Sequence, residues 1–361
     1  MIAVFNRYLL PGLIFMAVVI GGGYSTGREL IEFFAPCGPI GGLFGILVTM
    51  IVWSAVLAVS FELVRMTHSY DYRTFFMVLL GHAWFLFEIA YFALLIVVLS
   101  VLGAAAGEVA HESFGWPTLA GTALLMALIG VLVFFGSNVI EKVLAFWAFL
   151  LYALYVVIIA WSFSQFGDRI AYSFGTSPTP DGWLLAGIRY AGYNMSTIPA
   201  VFFTIRHATN RREALGAGLL GGPIAMLPGV ALFVAMMGFY PEISSQHVPS
   251  NFLLGQFGAP WFQGLFQIVL FGVLVKTGTA LLHAINERVA KLYDERGQQM
   301  PRSLRPALSI TILVISVFAA NAIGLVGLIA KGYGWLTWFF IAVLVIPVLT
   351  IGVKKVFFAD N

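Results

Sequence analysis

The sequence has one cysteine, Cys37, and very little charge: Asp, Glu, Lys and Arg make up 10% of its 361 residues. A single cysteine excludes an internal disulfide framework and any cysteine-based metal site. Soluble domains carry about 25% charged residues, so charge this sparse excludes an ordinary soluble domain. The six histidines have no ligand spacing and no His-Glu-x-x-His motif occurs, which argues against a metal centre. No nucleotide-binding glycine motif is present, so direct use of ATP is not expected, and no cofactor is implied. The middle of the apolar segments is poor in acids and in histidine, which argues against an intramembrane enzyme. The formal net charge of +3 gives no argument for nucleic acid as a partner.

Apolar residues fill the space that charge leaves. They form 60% of the chain, and the mean hydropathy is +0.95. The fold class expected is an all-α integral membrane protein whose main partner is the lipid bilayer. A spanning helix needs roughly 20 mainly apolar residues. Ten candidate spans appear, at 8–34, 39–65, 74–107, 117–136, 139–164, 183–206, 213–239, 260–290, 304–328 and 333–353. The ninth frays towards Asn321, Gly324 and Gly327. The connections near 165–182 and 291–305 are too short to fold alone, so a single transmembrane domain is expected over 1–361. The first apolar run lacks a small-residue cleavage site and is read as a retained helix, not a signal peptide.

Positive charge orients this set. With the N-terminus in the cytoplasm and ten alternating spans, 14 of the 19 basic residues fall on the cytoplasmic side. They are Arg7, Arg65, Arg73, Lys142, Arg206, Arg211, Arg212, Arg288, Lys291, Arg296, Arg302, Arg305, Lys354 and Lys355. Arg28, Arg169 and Lys331 fall outside, and Arg189 and Lys276 remain within spans. This partition predicts that both termini are cytoplasmic.

Glycines interrupt the first span. Gly21-Gly22-Gly23-Tyr24-Ser25-Thr26-Gly27 divides 8–20 from 28–34. Each glycine weakens a helix by ~1 kcal/mol relative to alanine. Irregular backbone at membrane depth persists only where protein or a water-filled cavity satisfies it. The sixth span carries a comparable stretch, Ala191-Gly192-Tyr193-Asn194-Met195-Ser196-Thr197, with Pro199 beyond. Ten spans divide into five plus five, with one repeat over about 8–164 and another over about 183–353. An odd-numbered unit inverts its second copy, so spans 1 and 6 correspond. Paired interruptions of this kind point to a transporter binding site near the bilayer midplane. Either interruption alone is equally well read as a kink satisfied by Ser, Thr and neighbouring helices.

The half-helix beginning at Arg28 offers free N–H groups to a carboxylate, and Thr26-Gly27-Arg28-Glu29 reads as a capping box that fixes its start. The preceding half ends in carbonyls suited to a cation. A zwitterion fits such a pair of poles. Candidate substrate-binding residues are therefore Gly21, Gly22, Gly23, Tyr24, Ser25, Thr26 and Gly27 on the first span. Gly192, Tyr193, Asn194, Ser196 and Thr197 are the candidates on the sixth. Tyr91 on the third span either contacts a carboxylate or hydrogen-bonds a neighbour. Lys276 lies in the middle of the eighth span, where an ionisable side chain costs at least ~2.5 kcal/mol and is a functional candidate by default. Its plain alternative is an ion pair with Glu62 or Glu88.

Three stretches carry a resemblance to a known family: Gly21–Gly27 followed by Arg28-Glu29-Leu30, the tract from Gly278-Thr279 to Asn286-Glu287-Arg288, and Ile329-Ala330-Lys331-Gly332-Tyr333-Gly334. In these the chain resembles the amino acid–polyamine–organocation (APC) superfamily with its LeuT-like fold. Within it, the chain is similar to the bacterial YkvI-like amino acid permeases over nearly its whole length. The resemblance implies a 5+5 inverted repeat in the bacterial inner membrane and an amino acid-like small-molecule substrate. It also implies alternating access, with spans 1, 2, 6 and 7 moving against spans 3, 4, 8 and 9. It places Arg28 and Arg189 at an extracellular gate, with interfacial anchoring as the alternative. In sodium-coupled relatives, hydroxyls of the eighth span help hold a sodium ion at about the level of Lys276 and Thr277. A lysine there implies sodium-independent transport, with Lys276 either coupling it to protons or acting as a fixed cation. An uncoupled facilitator or channel and a sodium-coupled symporter stand as alternatives.

Overall fold

The computed structural model describes residues 4–135, 138–294, 297–301 and 303–358. Arg296 and Arg302 lie outside the described residues, and the side chains of Lys142 and Lys291 are likewise not described. The chain is almost wholly helical. Among the described residues, six helical stretches are long and apolar enough to cross a bilayer.

After a short π-helical lead-in, α1 runs Leu10–Val19. It ends because Ile20 takes ψ 77° and Gly21 is extended. A single turn, Gly22–Ser25, follows. Gly27 then adopts φ 76°, a left-handed conformation that a side chain disfavours, and starts α2, Arg28–Phe34. Next come α3, Gly38–Thr67, and α4, Tyr72–Leu80, capped by the Asp71 carboxylate, which accepts from the Thr74 N–H at 3.0 Å. α5 runs Phe85–Phe114 and α6 Thr118–Phe135.

The third sequence span, 74–107, is thus two helices. They part at Gly81, whose φ of 59° and ψ of −127° end α4.

The connection expected from 165 also differs. α7, Asn138–Thr176, continues through it with a bend at Phe166. Phe166 stacks on Phe257 at 5.8 Å and meets Phe239 edge-on at 5.0 Å, so packing carries the helix past its apolar core stretch.

The second half opens with α8, Trp183–Asn194. The stretch expected to be interrupted at 191–197 is not unwound: the helix tightens directly into a 3₁₀ helix, Met195–His207. Asn194 and Met195 keep helical dihedrals. α9 spans Arg211–Met237. A connection containing α10, Pro249–Gly255, leads to α11, Pro260–Asp294. α12, Leu304–Gly327, kinks at Gly324 (φ 72°), and α13, Gly334–Phe340, follows a π-helical turn.

The helices sort into two groups. In one, α3 packs on α8 and α9, and α9 packs on α1, with α3 against α9 the most extensive contact among the described residues. At that interface a Cβ on Gly218 would lie 2.3 Å from the Ala58 backbone, so only glycine permits the approach. Small residues drive such packing where lipid removes the usual hydrophobic gain. α5, α6, α11 and α12 form the other group, and α7 touches both α9 and α11.

Candidate functional site

The Gly22 turn packs on α5 and α11 of the second group, and its Tyr24 reaches α9 of the first. A Cβ at Gly22 would fall 2.1 Å from Leu102 of α5 and 2.8 Å from Leu274 of α11. Its own side chains stitch the turn together. Ser25 Oγ donates to the Gly21 carbonyl at 2.8 Å, and Thr26 Oγ1 to the Gly23 carbonyl at 2.8 Å. The Tyr155 hydroxyl of α7 donates to the Ser25 carbonyl at 3.0 Å.

A cavity of about 400 Å³ opens beside this turn. That is within the usual range for small-molecule sites. Of the residues singled out from sequence, it brings together Gly21, Gly22, Tyr91, Tyr193, Asn194, Ser196, Thr197, Lys276 and Thr277. Gly23, Tyr24, Ser25, Thr26, Gly27 and Gly192 do not line it. The Tyr24 hydroxyl is turned to α9, where a Cβ on Gly229 would meet it at 2.4 Å, and Gly192 packs on Ile341 and Thr337.

The hydroxyls of the second wall bond back to their own helix. Ser196 donates to the Tyr193 carbonyl at 2.6 Å and Thr197 to the Asn194 carbonyl at 2.7 Å. Thr277 donates to the Val273 carbonyl at 2.9 Å. Such bonds satisfy each hydroxyl proton and leave oxygen lone pairs for a ligand.

Lys276 lies half-buried on the wall formed by α11. Neither expected ion-pair partner reaches it. Glu62 is held by Arg65 at 2.7 Å, and Glu88 faces Arg288 at 3.8 Å and accepts from Tyr72 at 3.0 Å. The Arg288 guanidinium also lies 4.1 Å over the Tyr91 ring, so Tyr91 joins that cluster to the cavity.

Arg28 and Arg189 lie away from the cavity. Arg28 is buried, pairs with Glu32, and donates to the carbonyls of Ser244 at 3.0 Å and Gln246 at 2.9 Å. The Ser250 N–H of α10 donates to the Thr26 carbonyl at 3.0 Å, so three hydrogen bonds tie α10 and the connection before it to the start of α2. Arg189 sits in a separate crevice with Glu32, Cys37 and Asp181, 5.8 Å from the Phe33 ring.

The capping box does not form. Gly27 is the N-cap of α2, which puts Glu29 one residue too early to reach back as the box requires. Thr26 Oγ1 instead accepts from the Arg28 N–H at 3.3 Å. Glu29 turns into the molecule, 4% exposed, accepts a hydrogen bond from the Tyr193 hydroxyl and lines the cavity. The end of α2 expected to receive an anion therefore carries the protein's own carboxylate.

Glu29 is not among the binding residues that the sequence alone singles out. Tyr333, also on the cavity wall, stacks on Tyr193 at 4.5 Å with 14° between the ring planes. The signal for Glu29 was present as an acid inside an apolar run. The signal for Tyr333 lay in the Ile329–Gly334 tract.

The chain matches no protein-family model. It is 22% identical over 336 residues to the uncharacterized membrane protein YkvI of Bacillus subtilis (strain 168), covering 92% of this chain and 93% of that one. Among solved structures it is similar to MhsT in complex with L-phenylalanine, with a TM-score of 0.60, 14% identity and 96% of each chain covered. It also aligns with a manganese transporter of Eremococcus coleocola, at a TM-score of 0.49, 16% identity and coverage of 99% of this chain and 88% of that one. The chain is an integral membrane protein with the LeuT-like fold, similar along its length to YkvI.

Proposed function

We propose that this chain is a secondary transporter that carries a small zwitterionic or carboxylated solute, an amino acid or close derivative, across the bacterial cytoplasmic membrane. The observation that carries the reading is the cavity: about 400 Å³, placed at the interruption between α1 and α2 and lined by two ionisable side chains of opposite sign, Glu29 and Lys276. A fold shared with MhsT, whose crystal structure holds L-phenylalanine, supports a substrate of that size and chemistry. In this reading ten spans form a 5+5 inverted repeat with both termini cytoplasmic. α1, α3, α8 and α9 move as a unit against α5, α6, α11 and α12, and the segregated packing of the two groups supports such a rocking motion. Lys276 supplies a resident positive charge beside the substrate, so transport runs without sodium, with protons as the coupling ion if any is used.

Uptake into proteoliposomes tests this. Radiolabelled amino acids should show saturable counterflow, unchanged when sodium is replaced by choline. Conductance without saturation, or an absolute sodium requirement, would sink the reading. Lys276→Ala should abolish any dependence of uptake on an imposed pH gradient.

A further inference from the structure

We propose that Glu29 holds the ammonium group of the substrate and Lys276 its carboxylate, so that the two fixed charges of the cavity read the two ends of a zwitterion. The inference rests on the transporter reading above.

Among the described residues, Glu29 is the one acidic residue on the cavity wall and Lys276 the one basic residue. Each lacks a protein counter-ion among the described residues. Arg28, adjacent to Glu29 in the chain, is turned away to Glu32 and to the Ser244 and Gln246 carbonyls. Lys276 has no hydrogen-bond or ion-pair partner among the described residues.

Among the described residues, Oε2 of Glu29 is hydrogen-bonded, by the Tyr193 hydroxyl, and Oε1 has no donor. Oε1 lies so close to Gly23 that a Cβ there would come within 2.1 Å of it. Gly23 thus leaves the space in which the carboxylate reaches the cavity. An ionised carboxylate only accepts hydrogen bonds. A ligand ammonium brings three donors and a charge, and charge-assisted bonds of this kind are the strong ones.

The neighbouring surface also suits a cation. Tyr152 and Tyr333 line the same cavity and bring tyrosine rings to an ammonium, whereas the faces of Tyr193 are covered by Phe33 and Tyr333 and those of Tyr91 by Phe87 and Arg288. One negative and one positive group leave the cavity formally neutral, which matches a solute of no net charge and opposite ends. A simple amine or a simple carboxylate would leave one of the two protein charges without a partner, and a buried unpaired charge is costly.

The test uses the purified full-length protein. Thermal-shift titrations would compare the twenty proteinogenic L-amino acids, each with its decarboxylated amine and its des-amino carboxylic acid. Glu29→Gln should weaken binding of the amino acid and of the amine by about tenfold or more, since a buried charge pair is broken. It should leave the affinity for the des-amino acid within about twofold. Lys276→Met should do the reverse, and Glu29→Asp should restore part of the amine affinity. Size-exclusion profiles and the unliganded Tm of each variant separate loss of binding from loss of folding, and the Lys276→Met arm stands even if Glu29→Gln fails to fold. Equal weakening of all three ligands by Glu29→Gln, or none, would overturn the inference and leave the transporter reading intact. If no amino acid shifts the unmodified protein, the zwitterion reading falls and takes this inference with it.

Discussion

The two walls of the cavity use different means to bring polar groups to an apolar place. Between α1 and α2 the backbone itself departs from helix: Gly21 is extended, and Gly27 sits at φ 76°. Between α8 and its 3₁₀ continuation nothing unwinds. The helix only tightens, and Ser196 and Thr197 turn their hydroxyls back onto carbonyls one turn earlier. The difference teaches that the two walls carry function at different depths. The first wall depends on the left-handed conformation of Gly27, which glycine adopts most cheaply, and that conformation swings Glu29 inward. The second depends on side chains mounted on an ordinary helix, and should tolerate change better.

Substitutions at matched places can break or sharpen that contrast. The largest effect is expected from Gly27→Val. A branched side chain at positive φ costs roughly 1–2 kcal/mol, and its Cβ would also meet the Met236 sulfur at 2.9 Å. Together with overpacking, the expected loss is on the order of 3 kcal/mol, read as a clear fall in Tm and loss of amino acid binding. A Gly27→Val protein with unchanged Tm would remove the distinction between the walls.

Tyr193→Phe comes next. It takes from Glu29 its one hydrogen-bond donor, at an expected cost of about 1–3 kcal/mol for a buried polar group left unsatisfied. Binding of amines should suffer more than binding of des-amino acids. If both suffer alike, Tyr193 acts through packing against Tyr333 and not through Glu29. The smallest effect is expected from Ser196→Ala, which removes a local bond worth about 1 kcal/mol. Its Tm should fall by only a few degrees, with binding within about threefold. A loss as large as that of Gly27→Val would show that the second wall is as finely set as the first.

Much of the architecture was legible because its causes are local. Long apolar runs separated by charge mark the membrane helices, and a glycine triplet stops α1 where the sequence says a helix must weaken. The places that escaped depend on packing. α7 runs past its apolar core stretch because Phe166 finds Phe257 and Phe239, partners remote in sequence. The third span divides at Gly81, where the sequence shows a lone glycine with no further signal.

At the site, Lys276 was conspicuous as a charge in mid-span, while Glu29 was disguised by a motif. Thr26-x-x-Glu29 has the spacing of a capping box, but the box needs the threonine at the N-cap, and Gly27 occupies it. A one-residue shift in the helix start rotated the carboxylate from the cap into the cavity. That shift comes from the positive φ of Gly27, which no side-chain pattern announces.

Cys37 has a practical consequence. It is the one cysteine in the chain, 5% exposed, on the wall of the crevice that holds Arg189 and Asp181. That crevice is separate from the cavity, and Glu32, which pairs with the buried Arg28, lines it too. The unmodified chain therefore carries a built-in chemical reporter. The rate at which a bulky maleimide alkylates Cys37 measures how often that crevice opens, with no need for a cysteine-free background or an introduced label.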